Sequence, residues 1–318
     1  MWKRKLDSLK EVVTAPIRWG GRSAPARFPD LPSAQPNVSD PSPLTPENHV
    51  ALVTGASQGL GRAFAEACAR RGMDLFLVAL PDSGLDRIAR GIELLYDVRA
   101  DYVEMDLTVP GNAETLVRRI SQSGLPVSVL INNAGVGYNC RFADSTLGEN
   151  ESCILLNNLT LVKLTRLLLP ELERRPRAFV LNVASLAAFF PMPFMPVYAP
   201  SKAFILNFSL ALRAEMRKTS VRVSVLCPNG IRTSGECKQK IEAHGLIGKL
   251  VSKEPQQVAG RALRGLFRDE AVIVPGFINQ VIAALGRHAP RSVVCPVVSA
   301  LYGKTAREAS ARAVVAPA

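Results

Sequence analysis

From Val50 onward, short apolar runs alternate with amphipathic stretches, and this alternation constrains the fold more than any other feature of the sequence. The predicted strands are 50–54, 74–80, 101–105, 127–132, 178–183 and 222–227, and the predicted helices are 61–71, 83–95, 113–121, 149–173 and 198–218. Because the strands are apolar almost throughout, helices must cover both faces of a parallel sheet. The predicted fold class is α/β, with a doubly wound parallel sheet whose ligand site lies beyond the carboxyl ends of the strands.

Two extensions flank this region, which we expect to form a single domain over residues 50–275. Residues 1–49 contain eight of the 23 prolines, so we expect a disordered or peripheral leader rather than a packed core. A last strand over 271–275 is followed by a basic extension, 276–318, with an apolar helical stripe of Phe277, Val281, Ile282 and Leu285. The stripe fits a membrane-surface helix, a dimer element or a helix folded over the substrate cleft.

Composition restricts the environment and the partners. The net charge of +12 suits anionic partners of several kinds, but the chain has no recognisable nucleic-acid module, so we expect no nucleic-acid partner. Six scattered cysteines and the lack of a signal peptide indicate reduced thiols in the cytoplasm. The three histidines (His49, His244 and His288) lie far apart, so we expect no metal site. No apolar stretch resembles a spanning helix, although the basic tails suit peripheral membrane contact.

A glycine-rich turn follows the first predicted strand and reads Thr54-Gly55-Ala56-Ser57-Gln58-Gly59-Leu60-Gly61. Glycines there allow a tight turn and let a phosphate approach the N–H groups at a helix N-terminus. A purely structural turn is the alternative. The position between a strand and a helix favours pyrophosphate binding.

Polar elements also follow the third and fourth predicted strands. The fourth strand ends in Asn132-Asn133-Ala134-Gly135, whose small residues would leave backbone beside an adenosine ribose, although a polar turn explains them equally well. Asp106, after the third strand, could accept a hydrogen bond from an adenine amine or could cap the next helix. Neither element decides between these alternatives alone.

Ser185, Tyr198 and Lys202 form the group with the clearest chemistry. Tyr198 and Lys202 are four residues apart and share one face of a predicted helix. We expect the ammonium of Lys202 to lower the pKa of Tyr198 from about 10 towards neutrality, so that Tyr198 acts as a general acid or base. Ser185, at the end of a strand, can hydrogen-bond the same carbonyl oxygen. A solvated helix face is the alternative for the Tyr–Lys pair by itself.

In this order, the motifs resemble the short-chain dehydrogenase/reductase family over about 50–233. The resemblance implies a Rossmann-like fold, a nicotinamide cofactor and a small-molecule carbonyl or secondary alcohol as substrate. It implies that Tyr198 donates or accepts the substrate proton. Lys202 would hold the nicotinamide ribose and lower the Tyr198 pKa, and Ser185 would position the substrate.

The family has a fourth member of this group, an Asn that maintains a water path to the Lys. The Asn precedes a Leu-Thr pair by seven residues. Counting back from Leu164-Thr165 gives Asn157, with the neighbouring Asn158 as the alternative.

The resemblance also implies a set of cofactor contacts. They are Gly55, Ser57, Gln58, Gly59, Leu60 and Gly61 in the turn, Asp106 and Leu107, Asn133, Ala134 and Gly135, Tyr198 and Lys202, and Pro228, Gly230, Ile231 and Thr233 after the sixth strand. Thr233 would hold the nicotinamide carboxamide. Asn229 stands where the family more usually has Gly, and we expect cofactor binding to survive that change.

Cofactor preference does not follow either familiar pattern. Gln58 and Leu80 stand where a basic residue commonly holds the 2′-phosphate of NADP, and Ala79 stands where a carboxylate commonly binds the 2′-hydroxyl of NAD. Arg62 or Arg87 could still reach a phosphate, and Asp82 a hydroxyl; these three residues leave both answers open. Family members with a similar basic tail more often use NADPH, so we expect NADP, with NAD as the alternative.

The segment 186–196 between Ser185 and Tyr198 is rich in Phe, Met and Pro, which suits an apolar ketone or a 3-oxoacyl-like substrate; a buried connecting loop is the alternative. Residues 234–253 take the place of the family's mobile substrate lid. The predicted function is hydride transfer between NAD(P)(H) and a carbonyl or alcohol. The alternative is a catalytically silent sensor or scaffold. The resemblance also implies a homo-oligomer.

Overall fold

The computed structural model describes residues 49–231, 252–290 and 292–300. Within them, a seven-stranded parallel sheet has the strand order β3-β2-β1-β4-β5-β6-β7. The strands are β1 Val50–Thr54, β2 Asp74–Ala79, β3 Ala100–Glu104, β4 Val127–Asn132, β5 Ala178–Val183, β6 Val221–Leu226 and β7 Val272–Ile273. The helices are α1 Gly59–Ala69, α2 Leu85–Tyr96, α3 Asn112–Ser123, α4 Leu147–Ile154, α5 Leu161–Glu173, α6 Tyr198–Glu215, α7 Pro255–Phe267 and α8 Phe277–His288.

The sheet is buried on both faces, which explains its apolar strands. Every residue of β1, β4 and β5 is buried. Helices α3, α5 and α6 cover one face through side chains such as Leu116, Leu164 and Leu212, while α1 and α7 pack together over the other. The prediction of a doubly wound α/β fold is confirmed. The strand order reverses between β1 and β4, so a crevice opens at the carboxyl ends of these two strands.

A six-residue π-helical segment, Leu155–Thr160, joins α4 to α5. The combined stretch Leu147–Glu173 is long and apolar enough to span a membrane by length and composition, with a mean hydropathy of 1.3. Its α5 half packs Leu164, Leu168 and Leu172 into the core. The prediction that no apolar stretch resembles a spanning helix was therefore wrong in length and composition, although the α5 part of this stretch is packed on the sheet.

Three elements differ from the sequence predictions, and the first is the single helix predicted over 149–173, which forms α4, the π-helical segment and α5. Helix α7 was not predicted, although it begins at Pro255 and buries Val258, Ala262 and Leu266 at helical spacing. The last strand is shorter than the predicted 271–275, since β7 covers only Val272–Ile273. The predicted stripe after it forms α8, and residues 292–300 form a further helical segment.

Some predictions concern residues outside the described part of the chain. These are the leader over 1–48, Thr233, the lid over 234–251 and the tail over 301–318. The predicted division into a leader, a catalytic domain and a C-terminal extension stays a prediction.

Candidate active site

The glycine turn is held against the end of β4 by close contacts between backbone groups. Gly55 has a φ of +69°, and a Cβ atom on Gly61 would overlap the carbonyl oxygen of Gly55. The hydroxyl of Thr54 accepts hydrogen bonds from the N–H groups of Asn133 and Ala134, both at 3.0 Å. The Asn133 amide donates to the Thr54 carbonyl at 2.9 Å. Only glycine at positions 55 and 61 permits this close approach of the backbone. We call Thr54, Gly55, Gly61 and Asn133 the cofactor cradle.

The N-terminus of α1 is open towards the crevice. Gln58 is exposed and is the N-cap residue, but its side chain makes no capping hydrogen bond, and the first turn has no acidic residue. The N–H groups and the positive end of the helix dipole are therefore available to an anion. Ser57 and Gly59 are partly exposed, while the Leu60 side chain is buried. These features fit the pyrophosphate of a dinucleotide.

Gly135 connects the cradle to the predicted catalytic residues. A Cβ atom at this position would lie 2.9 Å from Oδ1 of Asn157 and 3.2 Å from Nζ of Lys202. The Asn-Asn-Ala-Gly element thus reaches from the glycine turn, through Asn133, to Lys202. The sequence had suggested only its relation to the adenosine ribose.

Asp106 and Leu107 both form hydrogen bonds with other residues of the protein. Oδ1 of Asp106 accepts hydrogen bonds from the N–H and the hydroxyl of Thr108, at 2.8 and 2.7 Å. Leu107 is buried, and its carbonyl accepts a hydrogen bond from the Thr160 hydroxyl at 3.0 Å. One Asp106 oxygen therefore stabilises the turn after β3; Asp106 does not cap α3, whose N-cap residue is Gly111, and the adenine contact stays a prediction.

Glu104 fixes the loop after β2, and the sequence analysis missed it. Its carboxylate accepts hydrogen bonds at 3.1 Å from Asp82 N–H, the Ser83 hydroxyl and Leu85 N–H. These bonds, with that from Leu85 the strongest, lower the pKa of Glu104. The side chain of Leu80 in the same loop is 60% exposed. This loop begins at the strand end where dinucleotide-binding folds read the adenosine ribose.

Tyr198 and Lys202 lie in the first turns of α6, facing the end of β5. Nζ of Lys202 donates to the Val183 carbonyl at 3.0 Å and lies 5.7 Å from the centre of the Tyr198 ring. The Ser185 hydroxyl hydrogen-bonds the Tyr198 side chain and accepts from Ala187 N–H at 3.1 Å. The structure therefore brings together all three residues that the sequence singled out.

We predicted that Lys202 lowers the pKa of Tyr198, and this prediction is wrong when only groups of the protein act on Tyr198. Burial raises the pKa of Tyr198, and the hydrogen bond from Ser185 only partly offsets this effect. Burial also lowers the pKa of Lys202 to about 8, because Lys202 is only 4% exposed. At neutral pH the phenol is protonated and suited to donating a proton.

Asn157 lies in the π-helical segment and holds the backbone beside Lys202. Its amide donates to the Val136 carbonyl at 2.9 Å, and Oδ1 accepts from the Val136 N–H at 2.9 Å. The amide also donates to the Ser201 hydroxyl at 2.9 Å. Asn158 instead donates to the Ser201 carbonyl at 2.9 Å. Of the two candidates, Asn157 is the one that contacts the loop around Gly135.

A small cleft with mainly apolar walls and about 10 Å³ of free space opens beside Tyr198. It is lined by Tyr138, Cys140, Phe142, Ser145, Asn150, Cys153, Phe194, Pro196, Val197 and Tyr198. Phe194 has a φ of +69°, an unusual conformation for a bulky residue, and its carbonyl accepts from the Cys140 N–H at 3.0 Å. Gly137, which the sequence analysis missed, lies so close to the Tyr198 ring that a Cβ would overlap it.

The C-terminal extension packs against the segment between Ser185 and Tyr198. Val294 and Val298 contact a cluster that includes Met192 and Tyr198. A Cβ on Gly286 would overlap the Phe190 ring. One side of this extension is therefore folded against the substrate side, and the other two alternatives, a membrane-surface helix and a dimer element, stay predictions for its outer side. We call residues 186–197 and the helices that cover them the substrate wall.

The segment after β6 joins the site to α8. Asn229 accepts a hydrogen bond from the Gly230 N–H at 2.8 Å and donates to Oδ1 of the buried Asn279 at 3.0 Å. Pro228 accepts from Leu186 N–H at 2.8 Å, and Ile231 forms a bridge with Lys253. Asn229, in place of the usual Gly, thus anchors the C-terminal extension. Among the described residues, no cluster of three or more His, Cys, Asp or Glu side chains suits a metal ion.

Comparisons with known proteins agree with this geometry. A ketoacyl reductase, HetN, of Nostoc sp. is 30% identical over 246 residues, covering 76% of this chain and 85% of that protein. The very-long-chain 3-oxoacyl-CoA reductase of Anas platyrhynchos is 33% identical over 192 residues. The match covers 58% of this chain and 60% of the length of that reductase.

A solved structure is similar as well. The short-chain dehydrogenase from Sphingobium yanoikuyae in complex with NADPH is 30% identical, with a TM-score of 0.65, covering 72% of this chain and 88% of that one. A sequence model of the family described as short chain dehydrogenase matches residues 49–243. The predicted family, enzyme class and nicotinamide cofactor are confirmed. The chain belongs to the short-chain dehydrogenase family of NAD(P)-dependent oxidoreductases.

Proposed function

We propose that this protein is a reductase that uses NADPH, with NADH as the alternative, to reduce the ketone of an apolar 3-oxoacyl-type substrate. The observation that carries the proposal is the position of Tyr198, which lines the apolar cleft and whose ring centre lies 5.7 Å from Nζ of the buried Lys202. The names of the Nostoc and Anas relatives support the substrate class. In the lining of this described cleft there is no Arg or Lys, which favours an apolar group over a charged one.

The residues of the cofactor cradle fit a dinucleotide. The N-terminus of α1 would hold the pyrophosphate. Leu107, Ala134 and Gly135 would contact the cofactor through backbone, and Pro228 and Ile231 would lie beside its nicotinamide end, with Thr233 on the carboxamide. When bound, the reduced cofactor supplies the hydride, and its oxidised ring carries a positive charge.

Each catalytic side chain then has a separate task. The Tyr198 hydroxyl donates its proton to the carbonyl oxygen of the substrate, and the Ser185 hydroxyl holds that oxygen in place. Lys202, a cation below pH 8, stabilises the phenolate left on Tyr198 and returns a proton to it. Asn157 keeps the Val136 backbone, and with it Gly135, in position beside Lys202.

The proposal is tested by replacing Tyr198→Phe. Loss of a positioned general acid typically slows catalysis by about 10²–10⁴-fold, so kcat for a 3-oxoacyl thioester should fall by that amount. The Kd for NADPH, measured by fluorescence titration, should stay within about twofold because the cradle is untouched. Undiminished turnover in the variant would contradict the role of Tyr198. Cofactor binding without turnover by either protein would favour a sensor or scaffold.

We further propose that the protein forms a homo-oligomer through α4, α5 and α6. Leu147 and Ile154 of α4 are exposed by 74% and 52%, Leu167 of α5 by 38% and Phe204 of α6 by 45%. Phe204 stacks on Phe208 with ring centres 6.0 Å apart. Apolar side chains at this density on a described helical surface favour association between copies of the chain.

A further inference from the structure

The outer face of the C-terminal extension is apolar. Phe277 and Leu285 of α8 are 78% and 62% exposed, and Ile278 and Val281 of the same helix are each 43% exposed. Residues 277, 281 and 285 recur every four positions and so lie on one side of the helix. The next helical segment adds Val293 and Val297, which are 57% and 54% exposed.

This arrangement departs from the usual pattern of a surface helix. Such a helix normally turns its apolar side to the core and its polar side to water. In α8, Ile282 and Ala283 pack on the core beside the buried Asn279, yet the larger apolar side chains Phe277, Val281 and Leu285 face away from it. Contiguous exposed apolar patches mark binding surfaces in soluble proteins, so we expect this face to bind a partner or a lipid surface.

Charge indicates which occupant fits. No Asp or Glu occurs between residues 271 and 307, whereas Arg287, Arg291, Lys304 and Arg307 do. At the start of α8, Cε of Lys253 lies 3.4 Å from the Cβ position of Gly276. Arg287 and His288 are exposed at its end, where the Arg287 guanidinium also lies 5.3 Å from the centre of the Phe189 ring, next to the substrate wall. A helix with a broad apolar face and basic residues at both ends suits the boundary between anionic headgroups and acyl chains.

We propose that the exposed face of α8 and residues 292–300 docks on an anionic lipid surface. An acidic protein partner would need a denser array of cations than this mainly apolar face offers. The opposite side of α8 packs against Phe190 and Phe189 of the substrate wall. Docking would therefore hold the apolar cleft near lipid, where apolar acyl substrates concentrate. This last link rests on the proposed function, whereas docking itself does not.

Vesicle flotation of the full chain tests the proposal. The probes are vesicles of phosphatidylcholine alone and of phosphatidylcholine mixed with phosphatidylglycerol. The test variant replaces Phe277→Glu together with Leu285→Glu. The matched control replaces Leu94→Glu together with Leu95→Glu, since these α2 side chains are exposed by 87% and 76%. The Kd for NADPH is measured for each protein, as a check of folding that does not depend on lipid.

The unmodified chain should float with the anionic vesicles and much less with phosphatidylcholine alone. The α8 variant should lose at least about tenfold in partition, while the control variant partitions as the unmodified chain does. Equal partition of the α8 variant and the unmodified chain would overturn the proposal and assign any binding to other basic segments. Loss of an oligomer in the α8 variant, seen by light scattering with unchanged vesicle binding, would also overturn it and make the face an interface between copies.

Normal NADPH binding and turnover of a soluble ketone by a chain that does not bind vesicles would refute docking and leave the proposed function intact.

Discussion

The two sides of the site are built in different ways. The cofactor cradle is made of backbone contacts, in which Gly61 approaches Gly55 so closely that no side chain fits between them. The substrate wall is made of side chains, among them Phe189, Phe190 and Met192, held by helices from the end of the described chain. Backbone contacts restrict the residues that can occupy the cradle, whereas side chains in the wall can be exchanged. We therefore expect changes in the cradle to affect folding and cofactor binding, and changes in the wall to affect substrate selection.

The largest effect on stability is expected for Gly61→Ala in the cradle. The added methyl group would overlap the Gly55 carbonyl and approach the Asn133 amide. We expect a loss of about 3 kcal/mol in the free energy of unfolding and no measurable NADPH binding. The control is Gly91→Ala in α2, where a Cβ meets nothing within 4 Å and stability should rise by about 0.5–1 kcal/mol. Urea unfolding of both variants checks this; equal stabilities would contradict the comparison.

Lys202→Met tests the buried charge of Lys202, which lies between the cofactor cradle and the substrate wall. The shift of the Lys202 pKa from 10.5 to about 8 means that burying its charge costs about 3 kcal/mol. Below pH 8 the variant should therefore be more stable than the unmodified protein by up to that amount. The unfolded protein binds more protons than the folded one between pH 8 and 10.5, so the difference should shrink as the pH rises through this interval.

Denaturant unfolding at several pH values measures this difference. Turnover by Lys202→Met should be lost despite its added stability, because Tyr198 loses its source of protons. An unchanged difference across the interval would show that the charge of Lys202 is not the cause.

A smaller effect separates Asn157 from Asn158. Asn157→Ala leaves the Val136 N–H without its partner and the Val136 carbonyl with only the Cys153 thiol at 3.5 Å, and it should cost about 2 kcal/mol of stability. Asn158→Ala removes a bond to the Ser201 carbonyl alone and should cost about 1 kcal/mol. Turnover should fall more for Asn157→Ala than for Asn158→Ala, and the reverse order would transfer the positioning role to Asn158.

The smallest effect is expected on the cofactor side, at a position where a side chain rather than the backbone determines the choice between NADPH and NADH. Leu80→Arg places a guanidinium in the exposed loop that Glu104 fixes. NADPH binding should tighten by about tenfold, or about 1.4 kcal/mol, while the Kd for NADH stays unchanged. Leu94→Arg on α2 is the control and should change neither. No gain in Leu80→Arg would indicate that Arg62 or Arg87 already holds the 2′-phosphate.

The sheet could be predicted from the sequence because its strands are apolar runs whose ends are marked locally. The predicted strand over 127–132 and that over 178–183 agree with β4 and β5 to the residue. Helix α7 carried usable local signals, with Pro255 at its start and Val258, Ala262 and Leu266 at helical spacing. These signals are local, so the sequence alone was sufficient to predict this helix.

The remaining features depend on contacts between distant residues. The hydrogen bonds of Asn157 in the π-helical segment reach Val136, 21 residues earlier, and those of Glu104 reach a loop about 20 residues earlier. No local pattern encodes such partners. The direction of the Tyr198 pKa shift is a balance between burial and neighbouring groups, and the sequence supplies only the neighbours.

Transfer of deuterium tests the central claim most directly. The protein is incubated with NADPH that carries deuterium at C4 of the nicotinamide and with a 3-oxoacyl thioester, and the product is examined by mass spectrometry. We predict a 3-hydroxyacyl thioester with one deuterium at C3, formed by the unmodified protein and not by Tyr198→Phe. Bound NADPH with no deuterium transferred to this or any other apolar ketone would contradict the account.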